Sequence, residues 1–329
     1  MAAERDQLTS RVIPQITLST RENPLTAVKK IPDTVTNPAE RAALRFALSG
    51  NGIITGGSGA LGLEFARGLL EHGARGVCLF DLQPSFAQSQ AQVEKLRTDF
   101  LDKKIVTAVV NVADNETVEA GVSKAAAELG SVDFLVCCAG IVCTAHATDH
   151  SVRDWQRVLD VNTTGTWLCA QAVGKQMIKQ QTGGSIIFIA SISGHSVNFP
   201  QPQVAYNTSK AAVLHMKDSL AAEWARYGIR VNSISPGYMD TILNEGDGLE
   251  ECRRVWYARN PMGRMGDPSE IVGAGVLLTS LAGRYINGAD IVVDARGFLR
   301  TLHGENLFFR ICLRGGGEPN AVALGRPSG

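Results

Sequence analysis

Gly52-Ile53-Ile54-Thr55 runs directly into Gly56-Gly57-Ser58-Gly59-Ala60-Leu61-Gly62 and then into apolar residues at helical spacing, Leu63, Phe65, Ala66, Leu69 and Leu70. A short buried strand, a glycine turn and a helix in this order aim backbone N–H groups and a helix N-terminus at a pyrophosphate. Gly57, Gly59 and Gly62 satisfy the G-x-G-x-x-G spacing, which is informative only with a strand before it and a helix after it. Val77-Cys78-Leu79-Phe80-Asp81 follows as a second strand, and Asp81 lies nineteen residues after Gly62. That is where such units place the acid that accepts hydrogen bonds from the adenosine ribose hydroxyls. Further strand-like runs lie at 105–110, 132–137, 185–190, 229–234 and 290–293, with helical patterns between them. No period of 20–50 residues repeats. The alternation predicts an α/β chain with one parallel, doubly wound sheet and helices on both faces.

Ser185 to Ala190 is a buried-strand run leading to Ser191-Ile192-Ser193, a proline-bearing loop (Pro200, Pro202), and Tyr206-Asn207-Thr208-Ser209-Lys210. Val213, Met216, Leu220 and Trp224 continue at helical spacing until Gly228 caps the helix. Tyr206 and Lys210, four apart, then share one helix face. A free phenol has a pKa of about 10, and a lysine cation one turn away favours the phenolate. Ser193, at the strand end, is assigned the hydrogen bond to the oxygen that gains or loses a proton. Together they equip the chain for proton transfer at a carbonyl/alcohol centre. A surface tyrosine beside a solvated lysine would give the same Tyr-x-x-x-Lys by accident, so the assignment rests on the accompanying motifs.

With the glycine turn and Asp160-Val161-Asn162-Thr163-Thr164-Gly165, this order resembles the short-chain dehydrogenase/reductase family over roughly residues 46–294. The resemblance implies seven strands in the order 3-2-1-4-5-6-7. It also implies catalysis by Ser193, Tyr206, Lys210 and Asn162, with Asn162 kinking its helix and holding a proton relay, and Lys210 also on the nicotinamide ribose. The implied cofactor surface comprises Gly56, Ser58, Gly59, Leu61, Gly62, Asp81, Asn111, Val112, Cys138, Gly140, Tyr206, Lys210, Pro236, Gly237, Met239 and Thr241. Three positions depart from the family pattern. Ala60 replaces the middle glycine of the turn, Asn111 replaces an aspartate near the adenine, and Cys137-Cys138 replace an Asn-Asn pair whose amides brace the sheet. Residues 242–262 correspond to a substrate lid.

The chain has 329 residues, 44% of them hydrophobic and 19% charged, with 32 basic and 32 acidic side chains. Zero net charge gives no electrostatic reason to expect nucleic acid or an anionic membrane as partner. No run approaches the roughly 18 uninterrupted apolar residues of a membrane span, and Met-Ala-Ala-Glu-Arg-Asp-Gln lacks a signal-peptide core. Seven cysteines, two of them adjacent on a buried strand, are read as small core residues in a reducing, cytoplasmic setting and not as a disulfide framework. Cys143, His146 and His150 have ligand-like spacing but no evident fourth ligand, so no metal site is expected. Residues 1–45 are read as an extension, partly disordered; 46–300 as the catalytic domain; 301–329 as an atypical tail.

The function expected is NAD(P)-dependent interconversion of a secondary alcohol and a ketone, with NAD(H) favoured over NADP(H) because of Asp81. Pro200-Gln-Pro-Gln203, Trp256 and Asn260-Pro-Met-Gly-Arg-Met-Gly-Asp-Pro268 resemble fungal-type polyol dehydrogenases and ketose reductases. A ketoreductase of a secondary-metabolite pathway would use the same machinery, and a catalytically inactive dinucleotide-binding protein is the rival of another class. The resemblance also implies a homotetramer or homodimer built on the helices carrying Asn162 and Tyr206.

Overall fold

The structure, a computed structural model, describes residues 11–241, 244 and 246–295. The expected tail at 301–329, the first ten residues and part of the lid segment lie outside the described residues. Seven strands form one sheet: β1 Asn51–Thr55, β2 Gly76–Asp81, β3 Lys104–Val109, β4 Phe134–Cys137, β5 Gly184–Ile189, β6 Ile229–Pro236 and β7 Asp290–Val293. Their order is β3-β2-β1-β4-β5-β6-β7, and every pair is parallel. The principal helices are α1 Pro38–Phe46, α2 Ala60–Glu71, α3 Gln83–Gln88, α4 Gln90–Asp99, α5 Asn115–Leu129, α6 Val152–Leu159, α7 Gly165–Gln180, α8 Val204–Trp224, α9 Glu250–Arg259 and α10 Val272–Thr279.

The central strands are apolar along their whole length because both faces of the sheet are covered. Successive side chains point to opposite faces, and the core divides accordingly. Ile53, Ile186 and Phe188 pack with Val122, Val173 and Val213 of α5, α7 and α8. Ile54, Ile187 and Ile189 pack with Phe65, Leu96 and Val276 of α2, α4 and α10. Strand order reverses between β1 and β4, so the loops leaving their C-terminal ends diverge to opposite faces and open a crevice there.

The glycine turn at this crevice is closed by backbone contact. Gly56 adopts φ +59°, and a Cβ on it would lie 2.8 Å from Ala139 N. A Cβ on Gly62 would lie 2.2 Å from Gly56 O. Ala60, by contrast, is exposed as the first residue of α2, so its methyl group costs the turn nothing. Gly57 N donates to Phe80 O at 3.0 Å, tying the turn to β2.

A helix occupies the end of the segment expected to be an irregular extension. Asn37 Oδ1 caps α1 by accepting from Ala39 N at 2.9 Å and Glu40 N at 3.1 Å, and Pro38 stands at the first position, where its missing N–H has no intrahelical role. No residue of α1 is buried. Upstream, Asn23 Nδ2 donates to Arg226 O at 2.7 Å, which ties the segment to the turn after α8.

Gly62→Ala should destabilise the chain by about 1–3 kcal/mol, the usual cost of overpacking. The loss should appear as a lower Tm by circular dichroism. An unchanged Tm would show that the turn has slack that its contacts do not suggest.

Candidate active site

Four segments converge at the C-terminal edge of the sheet. The first is the end of β5, where Ser191 precedes a single 3-10 turn, Ile192–Gly194. Ser191 Oγ accepts from Ser193 N at 3.1 Å and donates to Ser193 Oγ at 3.0 Å. The second is the first turns of α8, carrying Tyr206 and Lys210 on one face. The Tyr206 phenol is hydrogen-bonded with Ser191. Spacing had assigned Ser193 to this place; in the structure Ser193 is one bond further away, attached to Ser191.

Lys210 is buried and donates from Nζ to Ile189 O at 2.7 Å. Its ammonium lies 5.6 Å from the centroid of the Tyr206 ring. Burial without a carboxylate partner pushes the lysine pKa down to about 8. Burial raises that of Tyr206, with the Ser191 hydrogen bond opposing the rise. The expectation that the lysine depresses the phenol therefore meets a larger opposing effect, desolvation, and the phenol is protonated at neutral pH.

The third segment is a five-residue π-helical turn, Asp160–Thr164, where α6 passes into α7. The widened turn points Asn162 inward, fully buried. Asn162 Oδ1 accepts from Ile141 N at 2.8 Å. Its Nδ2 donates to Ile141 O at 2.9 Å and to Ser209 Oγ at 3.0 Å. Ser209 in turn donates to Tyr206 O at 2.7 Å. Thus Asn162 does not satisfy its own helix, as a mid-helix asparagine often does; it joins the loop after β4 to α8. Ser209 carried no sequence signal beyond lying inside Tyr-x-x-x-Lys.

The fourth segment is the crevice between β1 and β4. Gly59 begins α2 with no side-chain cap on the helix N–H groups. Ser58 donates to Asp81 Oδ2 from its N at 3.1 Å and from its Oγ at 2.7 Å, and Leu82 N donates to Asp81 Oδ1 at 2.8 Å. Leu61 packs beneath against the core shared with α10. Asn111 Oδ1 accepts from Ala113 N at 3.2 Å, shaping an exposed turn, while Val112 is buried beside Gly165. Where the family pattern has two asparagines, the backbone is tied to Thr55. Its carbonyl accepts from Cys138 N at 3.1 Å and its hydroxyl from Ala139 N at 3.2 Å. Burial raises the pKa of Cys137 and Cys138, which leaves both as neutral thiols. A Cβ on Gly140 would stand 3.4 Å from Asn162 Oδ1 and 3.6 Å from Lys210 Nζ. Across the crevice, Pro236 ends β6, Gly237 N donates to Val293 O at 2.9 Å, Met239 is buried, and Thr241 O accepts from Asn244 N at 2.8 Å. A glycine cradle too tight for side chains, uncapped helix N–H groups and a carboxylate at the end of β2 fit a dinucleotide. Among the described residues no group of three or more His, Cys, Asp or Glu is placed to hold a metal ion.

At Ile192, the residue after Ser191, opens a cleft lined also by Asn198, Phe199, Tyr238, Trp256 and Arg259, among others. Tyr238 and Trp256 stack with ring centroids 4.2 Å apart and planes 12° from parallel. Buried Gln201 holds the pair, donating to Tyr238 Oη at 3.2 Å and accepting from Trp256 Nε1 at 3.3 Å.

A family model described as enoyl-(acyl carrier protein) reductase matches residues 57–297. The chain belongs to the short-chain dehydrogenase/reductase family. It is 39% identical over 259 residues to an NADP-dependent mannitol dehydrogenase of Hypocrea jecorina, covering 78% of this chain and 95% of that protein. It is 36% identical over 252 residues to an NADH-dependent L-xylulose reductase of Ambrosiozyma monospora, covering 74% and 92%. Among solved structures it is similar to a short-chain type dehydrogenase/reductase from Mycobacterium marinum, with a TM-score of 0.71 and 35% identity over 78% of this chain and 98% of that one. As a member of this family it is an oxidoreductase acting on a CH–OH group with NAD or NADP as acceptor.

The lysine pKa gives this short-chain dehydrogenase/reductase a pH signature. Lys210 is charged below about 8 and loses its proton as pH rises through that value, well before an ordinary lysine would. kcat/KM for the reduced cofactor reports the free enzyme and should fall above pH 8. In Lys210→Arg, whose guanidinium stays protonated, that limb should move to higher pH. A wild-type profile flat to pH 9.5 would take Lys210 out of the titration.

Proposed function

We propose that the enzyme interconverts a secondary alcohol and a ketone on a polyol or ketose chain, with Tyr206 as general acid/base and Ser191, in place of Ser193, on the reacting oxygen. The observation that carries this reading is the Ser191–Tyr206 hydrogen bond beside Lys210, with Ile192, the residue after Ser191, lining a cleft that has both an aromatic wall and polar groups. The polyol and ketose activities named for the relatives support the substrate class. When bound, a reduced nicotinamide supplies a hydride to the carbonyl carbon. The Tyr206 hydroxyl donates its proton to the carbonyl oxygen, which becomes the alcohol. Ser191 steadies that oxygen as negative charge develops on it. Lys210 offers its remaining N–H bonds to the nicotinamide ribose and its charge to the phenolate left behind. Asn162 and Ser209 hold the Tyr206 turn against the loop after β4, where a proton relay to solvent would start. Pro236, Gly237, Met239 and Thr241 would flank the nicotinamide, and Asn111, Val112, Cys138 and Gly140 the adenosine side and floor.

We place the enzyme in a reducing, cytoplasmic setting, which suits the six free cysteines among the described residues. Self-association through α7 and α8 suits Trp167, which is 40% exposed on α7.

Absorbance at the reduced-nicotinamide band, read against five- and six-carbon polyols and ketoses, tests the function. Steroids and long-chain acyl ketones should be poorer substrates, and turnover of those alone would replace the polyol reading. Tyr206→Phe should lower turnover about 10²–10⁴-fold, the usual share of general acid–base catalysis. Ser191→Ala should cost more than Ser193→Ala. The reverse order of the two serine variants would return the role to Ser193.

Cofactor preference rests on Asp81. The two named relatives divide between NADPH and NADH, and Asp81 supports NAD(H) here. Its carboxylate forms no ion pair among the described residues, and Leu82, Gln83, Pro84 and Ser85 after it are uncharged. A 2′-phosphate about 5 Å away would be repelled by about 3 kcal/mol per unit charge at an effective dielectric near 20. NAD(H) should therefore be preferred by about 10²-fold, and Asp81→Ala should narrow the gap. Equal kcat/KM with NADPH in the unaltered enzyme would overturn the assignment.

A further inference from the structure

Two features of the substrate cleft are not used by the chemistry above. Asn198 lines it, and its Nδ2 donates to Gln203 Oε1 at 2.9 Å. Its Oδ1 is buried and has no hydrogen-bond partner. A buried amide oxygen left unpaired is costly, and the group it calls for is a donor such as a hydroxyl. Arg259, at the last position of α9, lines the same cleft with its guanidinium 5.1 Å from the centroid of the Phe199 ring. Stacking on an aromatic face steadies the cation while leaving its N–H edge open. The other two arginines of α9 are committed: Arg253 to Asp240 at 3.1 Å and Arg254 to Glu251. Among the described residues Arg259 makes no ion pair or hydrogen bond.

We propose that the substrate is an anionic polyhydroxy compound, a hydroxyl of its chain donating to Asn198 and its terminal carboxylate or phosphate ester received by Arg259. The inference rests on the polyol/ketose reading and narrows it from neutral sugars to acidic ones. A guanidinium matches either anion through paired N–H bonds. The charged end belongs where Arg259 stacks on Phe199, with the hydroxylated chain running from there past Asn198. Trp256 and Arg259 are three apart on α9, so one helix face presents both the aromatic wall and the cation.

The test uses the full-length enzyme with three ketones of equal carbon count: a neutral ketose, its keto-aldonate and its terminal phosphate ester. At least one anion should exceed the neutral ketose in kcat/KM by tenfold or more, and the better anion identifies the terminus. Arg259→Gln should reduce that preference by about 10- to 100-fold, the range for hydrogen bonds to charged groups, mainly through KM. Arg259→Lys should keep part of it. A purely structural role at the helix end would instead lower Tm and slow all three ketones alike. If the neutral ketose matches or exceeds both anions, or Arg259→Gln leaves the ratio within twofold, the inference fails while the polyol reading stands. If none of the three turns over, the polyol reading itself fails and this inference with it.

Discussion

The Asn162 carboxamide ties together three parts of the chain. Its bonds to both backbone groups of Ile141 fix the loop leaving β4, and its bond to Ser209 fixes the first turns of α8. The Asn162 side chain is fully buried, so losing a partner would leave it unsatisfied at about 1–3 kcal/mol. The π-helical turn is what allows it. With ordinary α spacing at Asp160–Thr164 the side chain would be rotated away from Ile141. Once the three segments are fixed, the Tyr206 and Lys210 positions follow from helix geometry, and the Ser191 position follows from where β5 ends.

Much of this arrangement was legible in the sequence, for identifiable reasons. The strands could be read because a parallel sheet covered on both faces demands continuous apolar runs, and Ile186 to Ile189 or Ile53-Ile54 cannot sit elsewhere. Their order along the sheet is not written in any periodicity and came from the resemblance. The serine was harder. Ser191 and Ser193 flank one residue at a strand end, and which hydroxyl meets Tyr206 depends on the sense of a single 3-10 turn that no side-chain pattern encodes. Helix α1 was missed for the opposite reason. Pro38 at the first helical position starts a helix of only nine residues, too short for its apolar face, Ala39, Ala42, Ala43 and Phe46, to stand out in the pattern.

Departures from the family pattern were absorbed by neighbours. Thr55, buried at the end of β1, takes the N–H of Cys138 on its carbonyl and that of Ala139 on its hydroxyl, so the backbone after β4 stays tied to β1 with cysteines at 137 and 138. Ala60 faces solvent at the helix start, away from the contact between Gly56 and Gly62 that closes the turn.

The division of labour between sheet and lid explains how one catalytic frame can serve many substrates. Ser191, Tyr206, Lys210 and Asn162, the proposed catalytic set, are held at the end of β5, on α8 and in the π-helical turn. The cleft wall is held differently. Arg253 ties α9 to Asp240 and to Asn244 O at 2.7 Å, and Gln201 ties Trp256 and Tyr238 to the loop before α8. These are side-chain bonds on one short helix at the rim. A substitution at a position such as 259 therefore leaves the proton-transfer geometry in place while changing the charge the substrate meets.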